Sequence, residues 1–303
     1  MRLGTRGSAL ALAQARWVAE RLTGDVELVE ITTAGDLGRA ENAPPAAAGP
    51  APPSGTGTGA RPGSPVAAGD KSRWTGALER ALVEGEIDLA VHSAKDVPGR
   101  LADGTEIVAV PARADPRDVL VGVASLAALP QGARVGTSSV RRRAQLLAVR
   151  PDLLVVELHG NVDTRLRKLA AGAVDALVLA AAGLARLGRS EVQAAPLEGH
   201  VFVPAPGQGC LALQGRAGDR FDTVDDVVAH AALSAERAAV ARFDASCNTP
   251  VGVHQSPGGM LGFVGLPDGS EWLIDAAPDA KSLADRMLAA GAADLLARAE
   301  AMA

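Results

Sequence analysis

The chain has 303 residues, of which 48% are hydrophobic and 21% are charged, and its formal net charge is −5 at pH 7. This length allows two or three compact domains. The acidic net charge argues against a general polyanion binder, and an aromatic content of only 2% argues against binding of nucleic acid. Two cysteines cannot form a disulfide framework or a Cys-rich zinc site, and because neither a secretory signal nor a membrane span is recognisable, we expect a cytoplasmic protein.

The first third of the chain predicts strands that alternate with helices. A strand, a turn at residues 5–8 and an amphipathic helix are predicted by "RLGTRGSALALAQARWVAERL", and a second strand by "VELVEITT". From about 38 to 70 the composition reduces to Ala, Pro, Gly and Ser, which predicts a mobile low-complexity insert. A helix follows, and then a strand with alternating apolar residues at Ile87, Leu89 and Val91.

The remaining sequence continues the alternation and then changes character. Strand, turn and helix are predicted in turn by "ARVGTSSVRRRAQLL", "LLVVELHGNVDTRLRKLAAG" and "VDALVLAAAGLARLG". This order is typical of parallel α/β layers. The segments after "PAPGQGCLAL" predict a smaller α+β domain.

Four turns that follow predicted strands carry residues suited to binding anions. They contain Arg6 and Ser8 in "GTRGS", Lys95 and Asp96 in "VHSAKDVP", Arg141 to Arg143 in "GTSSVRRR", and His159 and Arg165 in "HGNVDTR". In open α/β sheets, ligands bind beyond the carboxyl ends of the strands. If the turns converge, they form a crevice for a ligand with several carboxylates or phosphates.

Each of these turns also has a simpler explanation. The arginine run is compatible with a solvated helix face, although cations at a helix N-terminus are unfavourable by roughly 0.3–1 kcal/mol each. Lys95 and Asp96 are compatible with an exposed pair, Ser8 with a helix cap, and His159 with a structural histidine. Phosphate-loop, dinucleotide-binding and nucleophile-elbow motifs are absent from the sequence, and no cluster has metal-ligand spacing, so we predict no metal site.

Taken together, the motifs resemble those of the porphobilinogen deaminase (hydroxymethylbilane synthase) family. The resemblance is carried in order by "GTRGSALALAQA", "DLAVHSAKDVP", "DPRDVLV", "LPQGARVGTSSVRRRAQL", "RPDLLVVELHGNVDTRLRKL", "VDALVLAAAGLARLG" and "PAPGQGCLAL". It implies two α/β lobes like those of type II periplasmic binding proteins and a C-terminal α+β domain. The implied bounds are 1–112 with 204–222 for lobe 1, 113–203 for lobe 2 and 223–303 for the C-terminal domain.

The resemblance also implies a cofactor, a substrate and roles for individual residues. A dipyrromethane cofactor is attached through a thioether to Cys247 in "DASCNTPVG", and four porphobilinogen molecules are polymerised with loss of ammonia by a monomeric enzyme. Asp96 is the implied catalytic residue. The residues implied to bind the cofactor are Lys95, Asp96, Ser139, Arg141 and Arg142, and those implied to bind the substrate are Arg6, Ser8, His159, Arg165 and Arg186.

Three departures from the family pattern keep alternatives open. His159 stands where the family has an arginine, and Ala245 and Ser246 stand where it has a pair of glycines. The insert replaces the family's active-site loop and leaves Lys71 and Trp74 at the positions of its lysine and phenylalanine. The alternative in a different class is a non-catalytic paralogue that binds pyrroles or other polycarboxylates between two lobes. A DNA-binding regulator is a further alternative, for which no recognition helix is located.

Overall fold

The computed structural model describes residues 1–36, 72–198, 200–245 and 249–302. The predicted insert at about 38–70 and the residues Lys71, Ser246 and Cys247 lie outside the described residues.

The described part of the chain contains strands and helices in a largely alternating order. The strands are Arg2–Thr5 (β1), Glu27–Glu30 (β2), Leu89–Ser93 (β3), Thr105–Ala109 (β4), Asp118–Val121 (β5), Arg134–Gly136 (β6), Leu154–Val156 (β7), Ala176–Ala180 (β8), Ala194–Pro196 (β9), Leu211–Arg216 (β10), Val251–Ser256 (β11), Gly259–Gly265 (β12) and Trp272–Ala277 (β13). The helices are Ala9–Ala19 (α1), Ser72–Val83 (α2), Val140–Val149 (α3), Val162–Ala170 (α4), Ala181–Arg186 (α5), Val227–Phe243 (α6), Ala280–Ala289 (α7) and Ala292–Ala301 (α8).

Two five-stranded sheets have the same topology. Their strand orders are β2-β1-β3-β10-β4 and β7-β6-β8-β5-β9. In each sheet three neighbouring strands are parallel, and the next strand, β10 or β5, runs antiparallel to both of its neighbours. Each antiparallel strand enters its sheet directly after the chain has left the other one. The chain therefore crosses between the sheets twice, through residues 110–117 and 197–210.

The central strand β3 is buried on both faces, whereas the sequence predicted an alternating strand. Residues 89–92 are all buried. Leu89 and Val91 pack in the core that includes the buried residues of α1. Ala90 points to the other side, where it packs with Leu78 and Leu82 of α2. Because helices cover both faces of the sheet, the polar side chain of His92 is also buried.

A third, antiparallel sheet of order β11-β12-β13 packs with α6, α7 and α8. The fully buried Glu236 of α6 connects this unit to both crossing segments. It accepts hydrogen bonds from Arg113 Nη1 at 2.6 Å and from the backbone N–H of Gly207 at 2.7 Å. The predicted fold class, two α/β lobes with a smaller C-terminal α+β domain, is thus confirmed. The expected parallel layers are instead mixed sheets, because β10 and β5 each run antiparallel to their neighbours.

Candidate active site

The turn after β1 presents Arg6 and Ser8. Ser8 caps α1, because its Oγ accepts a hydrogen bond from the backbone N–H of Ala11 at 3.3 Å. Arg6 forms a two-point ion pair with Asp36, and its guanidinium carbon lies 4.3 Å from the centre of the Trp74 ring. Carboxylate pairing and stacking on an aromatic face both restrict the orientation of an arginine, so Arg6 is held in one position.

The turn after β3 presents Lys95 and Asp96. Both belong to a short 3₁₀ turn, Ala94–Asp96, that follows the strand directly. The pKa of Lys95 is lowered to about 8, chiefly by burial and also by the positive charge of Arg142, and the carboxylate of Asp96 opposes this shift. A further negative charge beside Lys95 would stabilise its ammonium form and raise its pKa.

The turn after β6 brings two buried arginines to the start of α3. Ser139 caps this helix, and its Oγ accepts from the backbone N–H of Arg142 at 3.4 Å. Arg141 and Arg142 are 4% and 7% exposed, and each forms an ion pair of 2.8 Å with Asp118. Burial alone would raise the pKa of Asp118, but the two guanidinium groups hold it well below its usual range. Because two cations share one carboxylate, the cluster keeps a net positive charge.

Asp118 was not among the residues that the sequence singled out. It begins β5, and Gln208 from the second crossing segment also donates to its Oδ1, at 2.9 Å. The available signal was an acidic residue at the start of an otherwise apolar strand, Val119 to Val121. Such a carboxylate is costly to bury unless it is paired.

The turn after β7 separates Arg165 from His159. Arg165 donates to the backbone carbonyl of Gly160 at 2.9 Å and to Ser138 Oγ at 3.0 Å. His159 is exposed, and its Nε2 lies 2.9 Å from Glu157 Oε1. The two predicted substrate residues of this turn therefore face different surroundings.

Arg186 in α5 contacts a crossing segment. Its Nη2 donates to the backbone carbonyl of Gly209 at 2.6 Å, and burial lowers its pKa.

The third unit supplies a further arginine that the sequence reasoning missed. Arg237 of α6 donates to the backbone carbonyls of Pro98 and Gly99 at 2.8 and 3.0 Å. The sequence feature that could have indicated Arg237 is the charged pair Glu236 and Arg237 within an alanine-rich helix. At the end of α6, Asp244 adopts the left-handed conformation with φ 50°, and Ala245 does not. Alanine in place of a family glycine is therefore unstrained at this position.

One cavity of about 730 Å³ collects most of these side chains. Of the residues predicted from sequence, Arg6, Ser8, Lys95, Asp96, Ser139, Arg141, Arg142 and Arg165 line it together. His159 and Arg186 are not part of its lining in the described portion of the chain, and Cys247 lies outside the described residues. Arg237, Gln208 and Asp244 line it as well. Six basic and two acidic side chains thus surround the cavity within the described ranges.

The described residues contain no cluster of histidine, cysteine, aspartate and glutamate side chains able to hold a metal ion. Within the same residues, no helix is long and apolar enough to cross a membrane.

The fold and the cavity define a class of protein: an α/β protein with a strongly basic crevice between two sheets. The family model described as "Porphobilinogen deaminase, dipyromethane cofactor binding domain" matches residues 1–48 and 60–223. The porphobilinogen deaminase of Roseiflexus castenholzii is 42% identical over 97% of this chain and 98% of its own, and that of Deinococcus deserti is 43% identical over 89% and 86%. The chain belongs to the porphobilinogen deaminase family, a family of transferases.

Among solved structures, an ancestral cationic amino acid solute binding protein is 15% identical to this chain. The match covers 72% of this chain and 82% of that one, with a TM-score of 0.38. This similarity is too low to indicate a function for the chain.

Proposed function

We propose that this chain is an active hydroxymethylbilane synthase of tetrapyrrole (haem and corrin) biosynthesis. It joins four porphobilinogen molecules head to tail and releases one ammonia from each. The observation that carries the proposal is the meeting of six basic side chains with Asp96 around one cavity, in a member of the porphobilinogen deaminase family.

The charge of the cavity suits this substrate. Each porphobilinogen has an acetate and a propionate, so carboxylates accumulate as the pyrrole chain grows. Charge-assisted hydrogen bonds to such groups contribute roughly 1.5–3 kcal/mol each. Lys95, Ser139, Arg141 and Arg142 are assigned to the carboxylates of the cofactor, and Arg6, Ser8 and Arg165 to those of the incoming ring. The roles of His159 and Arg186 in substrate binding stay predictions from the resemblance alone.

The cofactor of this proposal is a dipyrromethane joined to Cys247 by a thioether. The described cavity fits such a group, because its volume of about 730 Å³ falls in the usual range for small-ligand pockets. Ala245 and Thr249, each two residues from Cys247 along the chain, both belong to the lining. When bound, the dipyrromethane supplies the free α-carbon to which the first substrate ring is joined.

Asp96 is assigned the catalytic role. The aminomethyl group of porphobilinogen leaves as ammonia, and the methylene-pyrrole that remains is positively charged. A carboxylate beside the pyrrole N–H stabilises this charge more than it stabilises the neutral pyrrole, which lowers the barrier. In this proposal the Asp96 carboxylate also takes part in moving protons during the step.

Lys95 gives a test of how the carboxylates are bound. In the cofactor-free Cys247→Ser chain we expect the Lys95 amine to titrate near pH 8, so it is charged at pH 7 and mostly neutral at pH 9. A cofactor carboxylate beside it favours the charged form, so loading is expected to raise this pKa by about one unit or more. The four lysines of the chain can be followed by NMR after ¹³C-methylation, with Lys95→Arg as the assignment control. Equal midpoints in the loaded and cofactor-free chains would contradict the contact.

The non-catalytic alternative is weakened by the position of His159. Its side chain is exposed beside Glu157, and the eight charged side chains of the described cavity lining are present without it. Retention of Asp96 in the cavity favours the enzyme.

The assay for the proposed function is the stoichiometry of turnover. Protein from a host that makes porphobilinogen is expected to release four ammonia molecules for each linear tetrapyrrole formed. A chain that binds porphobilinogen and releases no ammonia would instead support the non-catalytic paralogue.

The domain division is part of the same proposal. Strands β1 to β4 and β10 fall within 1–112 and 204–222, β5 to β9 within 113–203, and the third sheet within 223–303. We also propose that the protein is cytoplasmic and monomeric.

A further inference from the structure

Arg6 is restrained by two neighbours at the wall of the cavity. Its Nε and Nη2 atoms donate to the two carboxylate oxygens of Asp36, and its guanidinium carbon lies 4.3 Å from the centre of the Trp74 ring. Arg6 lines the cavity, and its side chain keeps 16% exposure. Within the described ranges its Nη1 makes no hydrogen bond. Nη1 is therefore the guanidinium nitrogen whose hydrogens are available to a ligand.

The Asp36 carboxylate is itself fixed and ionised. Thr33, which is fully buried, donates to Asp36 Oδ2 from its backbone N–H at 3.2 Å and from its hydroxyl at 2.6 Å. Burial raises the pKa of Asp36, but the hydrogen bonds from Arg6 and Thr33 outweigh burial and hold this pKa below its ordinary value. At neutral pH the carboxylate is therefore charged, and a charged two-point pair fixes the plane of the guanidinium.

The Trp74 ring reaches Arg6 because residue 35 has no side chain. A Cβ atom on Gly35 would lie 2.0 Å from two carbons of the ring, so glycine is needed to leave space for it. Tryptophan attracts a cation to its face more strongly than tyrosine or phenylalanine does. Residues 33–36 thus supply the carboxylate and the space for the ring, and both restrain the same arginine.

We propose that Asp36 and Trp74 are positioning residues that direct the Nη1 edge of Arg6 toward a carboxylate of the incoming porphobilinogen. This inference rests on the proposed function and deepens it, because it explains why a substrate-binding arginine is paired with a carboxylate of the protein. Asp36 cancels much of the charge of Arg6. Arg6 then binds the substrate mainly through a directed hydrogen bond, which weakens steeply when its angle is poor.

Charge and orientation predict opposite effects of a change at residue 36. Asp36 and the substrate carboxylate are both negative, so on charge alone the loss of the Asp36 charge should strengthen substrate binding. If orientation decides, the same loss should weaken binding. Asparagine has one acceptor oxygen in its side chain, and its NH₂ group cannot accept from the second guanidinium nitrogen. The sign of the effect therefore distinguishes the two explanations.

The test is the steady-state kinetics of Asp36→Asn with porphobilinogen. We expect KM to rise about tenfold with kcat nearly unchanged, the effect of misaligning one charge-assisted hydrogen bond to the substrate. Glu30 is the matched control, because its carboxylate lies beside Gly7 of the same turn and makes no hydrogen bond to Arg6. Glu30→Gln should leave KM unchanged or lower it. An unchanged or lower KM in Asp36→Asn would overturn the inference.

A double variant separates positioning from structural support. The Arg6→Gln chain has no guanidinium to orient, while its amide can still donate to Asp36. Adding Asp36→Asn to this chain should therefore leave KM unchanged or lower it. A further tenfold rise in the double variant would show that Asp36 acts independently of Arg6, and it would contradict the proposed role.

Trp74 provides an independent pair of variants. Trp74→Phe keeps an aromatic face and should have a KM close to that of the wild type, whereas Trp74→Leu should raise KM about three- to fivefold through loss of the cation–π contact. The control is Trp17→Leu, since Trp17 stacks with Arg21 at 3.8 Å and neither residue belongs to the described cavity lining. Equal KM values in Trp74→Phe and Trp74→Leu would contradict a role for the ring.

Failure of this inference and failure of the proposed function give different results. A wild-type chain that releases no ammonia from porphobilinogen would remove the proposed function. An active wild type whose KM does not rise in Asp36→Asn would remove only the positioning role.

Discussion

Replacement of Asp96 by asparagine is expected to reduce kcat by about 10²–10³-fold, the usual loss when one electrostatic contact to a transition state is removed. Asparagine has nearly the same shape but no charge, so it cannot stabilise the positive methylene-pyrrole. Because the ground-state contacts stay, KM and the melting temperature should change little. Steady-state kinetics with porphobilinogen and a thermal melt measure the three quantities on one preparation.

Asp244 provides the matched control, because it is the other acidic residue in the described lining of the cavity. Its left-handed backbone, φ 50°, is one that asparagine adopts readily. Asp244→Asn should therefore keep wild-type turnover. If Asp96→Asn is as active as Asp244→Asn, the catalytic role of Asp96 is refuted.

The largest effect on stability is expected from Asp118→Asn. The change leaves the buried guanidinium groups of Arg141 and Arg142 without the carboxylate that they share. Loss of one partner from a buried ion pair costs about 3–5 kcal/mol in free energy of unfolding. The midpoint of urea unfolding should fall accordingly, with an unchanged slope if unfolding remains two-state.

Asp285 is the control for this change, since it also pairs with two cations, Arg242 and Lys281. These side chains are largely exposed, and solvent screens their attraction. Asp285→Asn should leave the urea midpoint almost unchanged. An equally small effect for Asp118→Asn would contradict the claim that the Asp118 carboxylate stabilises the buried arginine pair.

The convergence of the strand-end turns was predictable because it depends on local patterns. Each turn carries its own cap or polar residue, as Ser8 and Ser139 show. Parallel strands then bring their carboxyl ends to one edge of a sheet. The rule needs only the order of strands and helices, which the hydrophobic periodicity gives. For that reason Arg6 and Lys95, which follow β1 and β3 of one sheet, line the same cavity, whereas Arg142 follows β6 of the other sheet and reaches it through the packing of the two sheets.

Other features depend on contacts between distant parts of the chain. The shared partner of Arg141 and Arg142 is Asp118, 23 or more residues earlier in the chain, at the start of β5. The local pattern indicates that this carboxylate needs a partner but does not indicate which residues supply it. His159 and Arg165 were predicted together, but only the structure shows that one faces solvent and the other the cavity. The burial of His92 follows from a helix on each face of β3, which the local pattern does not reveal.

The central claim is that a pyrrole pair anchored at Cys247 occupies a cavity lined by Asp96 and the arginines. Intact mass spectrometry of protein from a porphobilinogen-producing host tests it most directly. We predict an added mass of two linked pyrrole units, present in Cys210→Ser and absent in Cys247→Ser. An unmodified wild-type mass, or an adduct that persists in Cys247→Ser, would contradict the account.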